Sequence, residues 1–510
     1  MCKNRLKVEL ESPVGTIDPR LHGQFIEHLG TCIYDGIWAK TDGSEGSGLR
    51  ETVVEALAAI APPVVRWPGG CFADQYAWED GVGPRGQRPV RVANRWGRDE
   101  VETNAFGTHE FMELCRRIGA EPWLNGNVAT GSARAMRDWV EYCNFRGDTT
   151  RTQERRDNGA PEPFGIFYWG IGNEPWDCGG KFTPREYANA FRLFESSLPN
   201  YQHAPLYLIG AGPDGNKPHE REIWTQEFFE QIFAWRRPRL AGYDLHFYTW
   251  NSAHEAGRAL EFDVADWYYL IHRNMQLEPV IVRQREIMDG FDPKRQVDLI
   301  VGEWGIWHPA EKGWPLFWRQ STLRDAVCAA LTLDMFHRHA DTVKMACLAQ
   351  TVNVLGSLLL TQGDAVIKTP IYHVFAMYKD HRGGESLAVE LKSEEVVFQA
   401  DTGTATMPAL WAAASRLDGV LTLTVVNINC ERSLKVDLEL PVDADEMTVT
   451  ELTDACLQAH NSADEPERLV PSVRRLPMES QTVRHTFPAA SITKLRMEGW
   501  RQDGRSSGKQ

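Results

Sequence analysis

The chain has 510 residues, 42% hydrophobic and 25% charged, with 55 Lys and Arg against 70 Asp and Glu and a net charge of −15. This is the balance of a soluble globular protein large enough for a barrel and an accessory domain. The acidity argues against nucleic acid or an anionic membrane as the main partner.

No run is apolar enough to span a bilayer, and the N-terminal MCKNRLKVELESPVG lacks the apolar core of a secretory signal. Ten cysteines stand singly at positions 2, 32, 71, 115, 143, 178, 328, 347, 430 and 456. With no CxxC pair among them, the expectation is reduced thiols in a cytoplasmic protein, without a disulfide framework or a zinc site.

In chain order, RLKVELES near the start is strand-like, and eight apolar or β-rich runs follow. They lie at 21–29, 63–68, 121–128, 166–175, 206–210, 243–250, 298–305 and 342–353. Amphipathic stretches separate them. THEFMELCRRIG (108–119) opens on a Thr read as its N-cap, carries Arg in the last turn and stops at Gly. SARAMRDWVEYC (132–143), TPREYANAFRLFESS (183–197) and STLRDAVCAALTLDMFHRH (321–339) follow the same pattern. Eight βα alternations predict a closed (β/α)8 TIM barrel over 16–382.

From 383 to 500 helical periodicity vanishes, and short alternating runs such as LTLTVVNIN and LKVDLEL predict an antiparallel β-sandwich, jelly-roll-like. Residues 1–15 are expected to add a strand to it, and 501–510 to form a disordered tail.

A parallel barrel carries its chemistry at the C-terminal ends of the strands. Read off in order, those ends hold Glu27 and His28, Arg66 followed by WPGGC with Cys71, then Asn125 and Asn127. Asn173 and Glu174 follow, then His246 and Tyr248, Glu303, and finally Gln350 and Asn353. Glu174 and Glu303 each close an apolar strand, and two facing carboxylates are the equipment of glycoside hydrolysis. One is kept protonated to serve the leaving oxygen; the other attacks the anomeric carbon or activates water. Asn173 is placed to hold a sugar hydroxyl, and Tyr248 to hydrogen-bond Glu303. The carboxylates supply both roles themselves, so no metal or cofactor is expected.

The motifs HGQFIEHLGTCIYDGIW, RWPGGCFADQYAWEDGVGP, TNAFGTHEF, IGNEPW and VGEWGIWH resemble glycoside hydrolase family 51, in clan A. The family is known best for intracellular α-L-arabinofuranosidases. The resemblance implies retention through a covalent glycosyl-enzyme, with Glu174 as acid/base and Glu303 as nucleophile. It implies that Glu27, Cys71, Asn173, Tyr248 and Gln350 bind the terminal furanose, with Arg66 and His246 in support, and that the protein is a homohexamer. The expected substrates are arabinose-containing oligosaccharides from arabinan or arabinoxylan, attacked by an exo mode. A β-xylosidase or endo-glucanase on the same barrel, or a non-catalytic carbohydrate-binding protein, are the other readings.

Plainer roles stand beside these. Glu27 also suits a buried partner for Arg66, and Cys71 a small core residue. His28 and His246 also suit purely structural roles. GAGPDG (210–215) matches a dinucleotide fingerprint, but Pro213 within it and NKPHE after it are wrong for one. The Gly- and Pro-broken EWGIWHPAEKGWPLFW (303–318) reads as a loop over the site, with Trp307, Trp314 and Trp318 as candidate sugar platforms.

Overall fold

A computed structural model describes residues 4–39, 48–92, 101–251, 255–401, 403–442, 444–478 and 480–498. The tail expected at 501–510 lies outside the described residues. After an N-terminal strand β1 (Asn4–Thr16), eight parallel strands close a barrel. These are β2 (Gly23–Phe25), β3 (Val64–Trp67), β4 (Glu121–Gly126), β5 (Tyr168–Ile171), β6 (Tyr207–Asp214), β7 (Gly242–Trp250), β8 (Asp298–Trp307) and β9 (Val343–Ala349). Strand β9 pairs with β2 through Cys347↔Gly23 and Ala349↔Phe25, which closes the ring. The strands are buried on both faces, as covering helices require.

The helices form where capping and periodicity coincide. Ser132 caps Ala133–Asn144 and Thr183 caps Pro184–Ser197, each side chain accepting an amide of the first turn. Thr108 is the first residue of its helix rather than the cap. Gly107 holds the cap position, and its amide donates to Glu110 at 2.9 Å.

Gly210 and Gly212 of GAGPDG lie inside strand β6, and Gly215 follows its end. A Cβ at Gly210 would crowd Leu240, Phe191 and Phe228, so this glycine serves close packing of the barrel wall.

Strand β1 joins a nine-stranded, mostly antiparallel sheet built from the C-terminal region. It pairs antiparallel with β10 (Glu385–Lys392) and parallel with β11 (Leu434–Glu439). The helix Leu323–Arg338 lies between barrel and sheet and is buried over almost its whole length.

Candidate active site

A bulge between β7 and β8 aims the site. Leu245 pairs with Val301 but His246 pairs with Glu303, leaving Gly302 as the extra residue. The Gly302 amide donates to Asp244 Oδ1 at 2.6 Å, and a Cβ there would stand 2.2 Å from the same oxygen. Glycine alone permits that approach. The bulge sets Glu303, His246 and Asp244 together on the barrel lumen.

On the facing side, β5 ends at Ile171 and the chain turns through Gly172 into Asn173 and Glu174. Glu174 takes a left-handed φ of 37°, uncommon for a side chain with a Cβ. The turn is held by amides of Asp177 and Gly179, which donate to the Glu174 carbonyl at 2.9 and 3.0 Å. Asp74 braces it: its carboxylate accepts the amides of Asn173 (2.9 Å), Val128 (2.8 Å) and Ala129 (3.2 Å). Burial pushes the Asp74 carboxyl up to about 6 despite those bonds.

Arg66, fully buried at the end of β3, links the two halves. Its Nη1 donates to Glu303 Oε1 and its Nη2 to Asn173 Oδ1, both at 2.6 Å. The Tyr248 hydroxyl donates to Glu303 Oε2 at 2.7 Å. His246 Nδ1 lies 3.0 Å from Glu174 Oε1 and 3.6 Å from Glu303 Oε1, while its Nε2 lies 3.1 Å from Asp244 Oδ2. One oxygen of Glu174 and one of Glu303 lie within 4.8 Å of each other.

Glu27 accepts the amides of Gly70 and Phe72 and the Gln350 side-chain amide at 2.9–3.1 Å. Arg66 therefore has Glu303 and Asn173, not Glu27, as its direct partners.

These neighbours split the carboxyls. Burial raises Glu174 above the usual carboxylate range, and the charge of Glu303 adds to it against the His246 hydrogen bond. Burial would raise Glu303 too, but the charges of His246 and Arg66 and the bonds from Tyr248 and Arg66 hold it below that range. His246 is pushed up to about 10: burial opposes its charge, and Glu303 and Asp244 outweigh burial. Burial and the charge of Glu303 push Glu27 up to about 7. One carboxyl is thus poised to carry a proton and its neighbour to stay ionised.

The cysteines depart from expectation. Cys71 and Cys178 form a disulfide across 107 residues of chain. Their isolation in sequence hid this, because the loops after β3 and β5 meet only when the barrel closes. Cys178 Sγ lies 3.4 Å and Cys71 Sγ 3.7 Å from Glu174 Oε2.

The three tryptophans also separate. Trp307 stacks on Trp250 at 4.3 Å and edges Tyr248 at 5.2 Å, beside the site. Trp314 and Trp318 instead line a cleft of about 530 Å³ with Thr31, Asp35 and Arg50. His28 is held by Glu102 at 2.8 Å and accepts from the Trp67 indole at 3.0 Å.

Asp244, Asp74 and Cys178 were missed from sequence. Asp244 had a signal: it stands two residues before His246 and so shares its strand face. Among the described residues the Asp74 carboxylate accepts only backbone amides, which no spacing announces.

Known proteins resemble the chain over nearly its whole length. A family model described as the α-L-arabinofuranosidase 1 domain matches residues 56–265, and one described as the α-L-arabinofuranosidase C-terminal domain matches 302–491. An intracellular exo-α-L-arabinofuranosidase of Bacteroides ovatus is 36% identical over 94% of this chain and 93% of its own. The crystal structure of a family 51 arabinofuranosidase from Xanthomonas axonopodis pv. citri superposes with a TM-score of 0.90 at 33% identity, covering 97% of this chain and 99% of that one. An α-L-arabinofuranosidase from Thermotoga maritima, solved with arabinose, gives 0.83 at 31% identity over 97% and 100%. The chain belongs to glycoside hydrolase family 51, the family of these α-L-arabinofuranosidases.

Proposed function

We propose that the protein is a retaining, exo-acting α-L-arabinofuranosidase that removes terminal arabinofuranosyl groups from arabinan- or arabinoxylan-derived oligosaccharides. The observation that carries this is the carboxylate pair: oxygens within 4.8 Å, one carboxyl held above its usual range and the other below. Retention needs the two groups ~5–5.5 Å apart, too close to seat a water between them.

In the first step Glu303, ionised and aimed by Tyr248 and Arg66, attacks the anomeric carbon. Glu174 gives its proton to the departing oxygen. The charge left on Glu174 then faces the imidazolium of His246. In the second step Glu174 takes a proton from water, and that water cleaves the glycosyl–Glu303 ester. Glu27, Cys71, Asn173, Tyr248 and Gln350 would hold the furanose hydroxyls. Asn173, held by Arg66 and Asp74, would bond one of these hydroxyls.

Cytoplasmic location and a homohexamer complete the reading. The relative from Bacteroides ovatus is named intracellular, and among the described residues no helix is long and apolar enough to cross a membrane.

The test is hydrolysis of aryl α-L-arabinofuranoside beside aryl β-D-xylopyranoside and β-D-glucopyranoside, with wild type and Glu174→Ala. The arabinofuranoside should be the preferred substrate. The variant should lose roughly 10²–10⁴ in turnover of a poor leaving group, and azide should restore part of it as a glycosyl azide. Clear activity on a pyranoside alone would sink the substrate assignment.

A further inference from the structure

The disulfide borders the active site: both sulfurs lie against Glu174 Oε2, and Cys178 Sγ also accepts from Asn173 Nδ2 at 3.5 Å. One donor atom each from Cys71, Cys178 and Glu174 lies within 4.8 Å of the other two. As a disulfide the sulfurs are poor ligands. As thiolates they are strong ones, and with one carboxylate they make a donor set that favours zinc- or cadmium-like ions over magnesium or calcium.

The backbone already spaces them for this. The two Cα atoms are 5.5 Å apart, a span that lets both sulfurs reach one ion at ~2.3 Å each. Glu174 and Cys178 sit on one turn, fixed by the Asp177 and Gly179 amides, so two of the three donors are preorganised. Glu174 turns Oε2 to both sulfurs, while His246 Nδ1 lies 3.0 Å from its Oε1, so the oxygen aimed at the ion is not the one His246 holds.

We propose that reduction of the Cys71–Cys178 disulfide opens a site for one thiophilic divalent cation, held by Cys71, Cys178 and Glu174, and that filling it switches off catalysis. A dithiol reductant supplies two electrons. The S–S bond breaks, the reductant closes to its own disulfide, and two thiols remain. Cation binding releases both thiol protons and forms two metal–sulfur bonds and one metal–oxygen bond, with water completing the shell. Glu174 then carries the ion in place of the proton it must donate. In a reducing compartment the pair stands in its dithiol form, so the enzyme would be sensitive to free zinc-like ions there and indifferent to them once oxidised.

Cadmium(II) is the probe. The purified full chain, oxidised with glutathione disulfide or reduced with dithiothreitol and desalted without air, is titrated with cadmium chloride. Sulfur-to-cadmium charge-transfer absorption reports binding, and aryl α-L-arabinofuranoside hydrolysis reports activity. The reduced protein should bind one more cadmium per chain than the oxidised protein, with inhibition setting in at a concentration at least about tenfold lower. A chelator should restore the activity.

Cys430 and Cys456, the free thiols not fully buried among the described residues, lie in the C-terminal sheet region, and whatever cadmium they take is taken by the Cys178 variants as well. Cys178→Ser, or Cys178→Ala should the serine fold poorly, should abolish the increment. Equal cadmium binding by oxidised and reduced wild type, a comparison that needs no variant, would overturn the proposal. So would an increment that survives loss of Cys178. The absorption readout needs no turnover, so failure of the substrate assignment would leave the cadmium increment intact.

Discussion

Glu174 and Glu303 both have His246 as a neighbour, and the rest of their surroundings separates them. Glu303 also has Arg66 and Tyr248, while Glu174 faces the two sulfurs. Activity requires Glu303 ionised and Glu174 protonated. The rate should therefore rise with pH through the lowered Glu303 value and fall through the raised Glu174 value. Replacing His246 with Asn removes a cation that favours the ionised form of both. Both limbs of the kcat/KM profile should move to higher pH, with a loss of the order of 10²-fold at the optimum. An unmoved profile would contradict the imidazolium. At this scale the sequence showed the two glutamates, Tyr248 and Arg66, because polar residues ending apolar strands need a reason. The residues by themselves did not separate His246 from His28; only the family resemblance set His246 in support. Both follow strand signals, and only the folded partners, two glutamates for one and Glu102 with Trp67 for the other, tell them apart.

The working part of strand β8 is its mismatch with β7, where Gly302 lets Glu303 and His246 stand side by side. Gly302→Ala would force its Cβ onto the Asp244 carboxylate. It should cost at least about 10²-fold in kcat, with a smaller loss of thermal stability. Full activity in that variant would show the bulge to be incidental. Eight strands were legible from period and composition, but their ends were not. The β-rich run read at 206–210 stops at Gly210, yet β6 runs on to Asp214. Its register against β7 slips between Ala211 and Asp214, so Pro213 falls where its missing amide breaks no ladder. Likewise β8 passes Gly305 and ends at Trp307, because β7 offers partners as far as Trp250. Pairing with neighbours, not local propensity, sets where a barrel strand ends.

Barrel and sheet are joined through histidines. His22, His337 and His381 lie buried near one another, and His381 Nδ1 meets Ser415 Oγ of the sheet at 2.8 Å. Burial holds all three below the ordinary value of 6.5, with His381 at about 3. A histidine lowered in the fold contributes stability above 6.5 that is lost as pH falls towards its folded value. Each of the three adds to that loss as the pH falls. The melting temperature should fall steeply on acidification below pH 6.5, and less steeply in His381→Gln. An unchanged slope would place acid sensitivity elsewhere. The β-rich texture of the last quarter was plain in the sequence, but alternation names no partners. That β1 would lie between β10 and β11, over 360 residues away, depends on long-range pairing.

The central claim is that Glu303 attacks while Glu174 handles the proton. Glu174→Gln, mixed with an aryl α-L-arabinofuranoside of good leaving ability, should release aryl alcohol in a burst and then stall. Mass spectrometry of the quenched protein should find one pentosyl group per chain, on the peptide carrying Glu303. A protein that turns over with no adduct and yields product of inverted anomeric configuration would contradict the account.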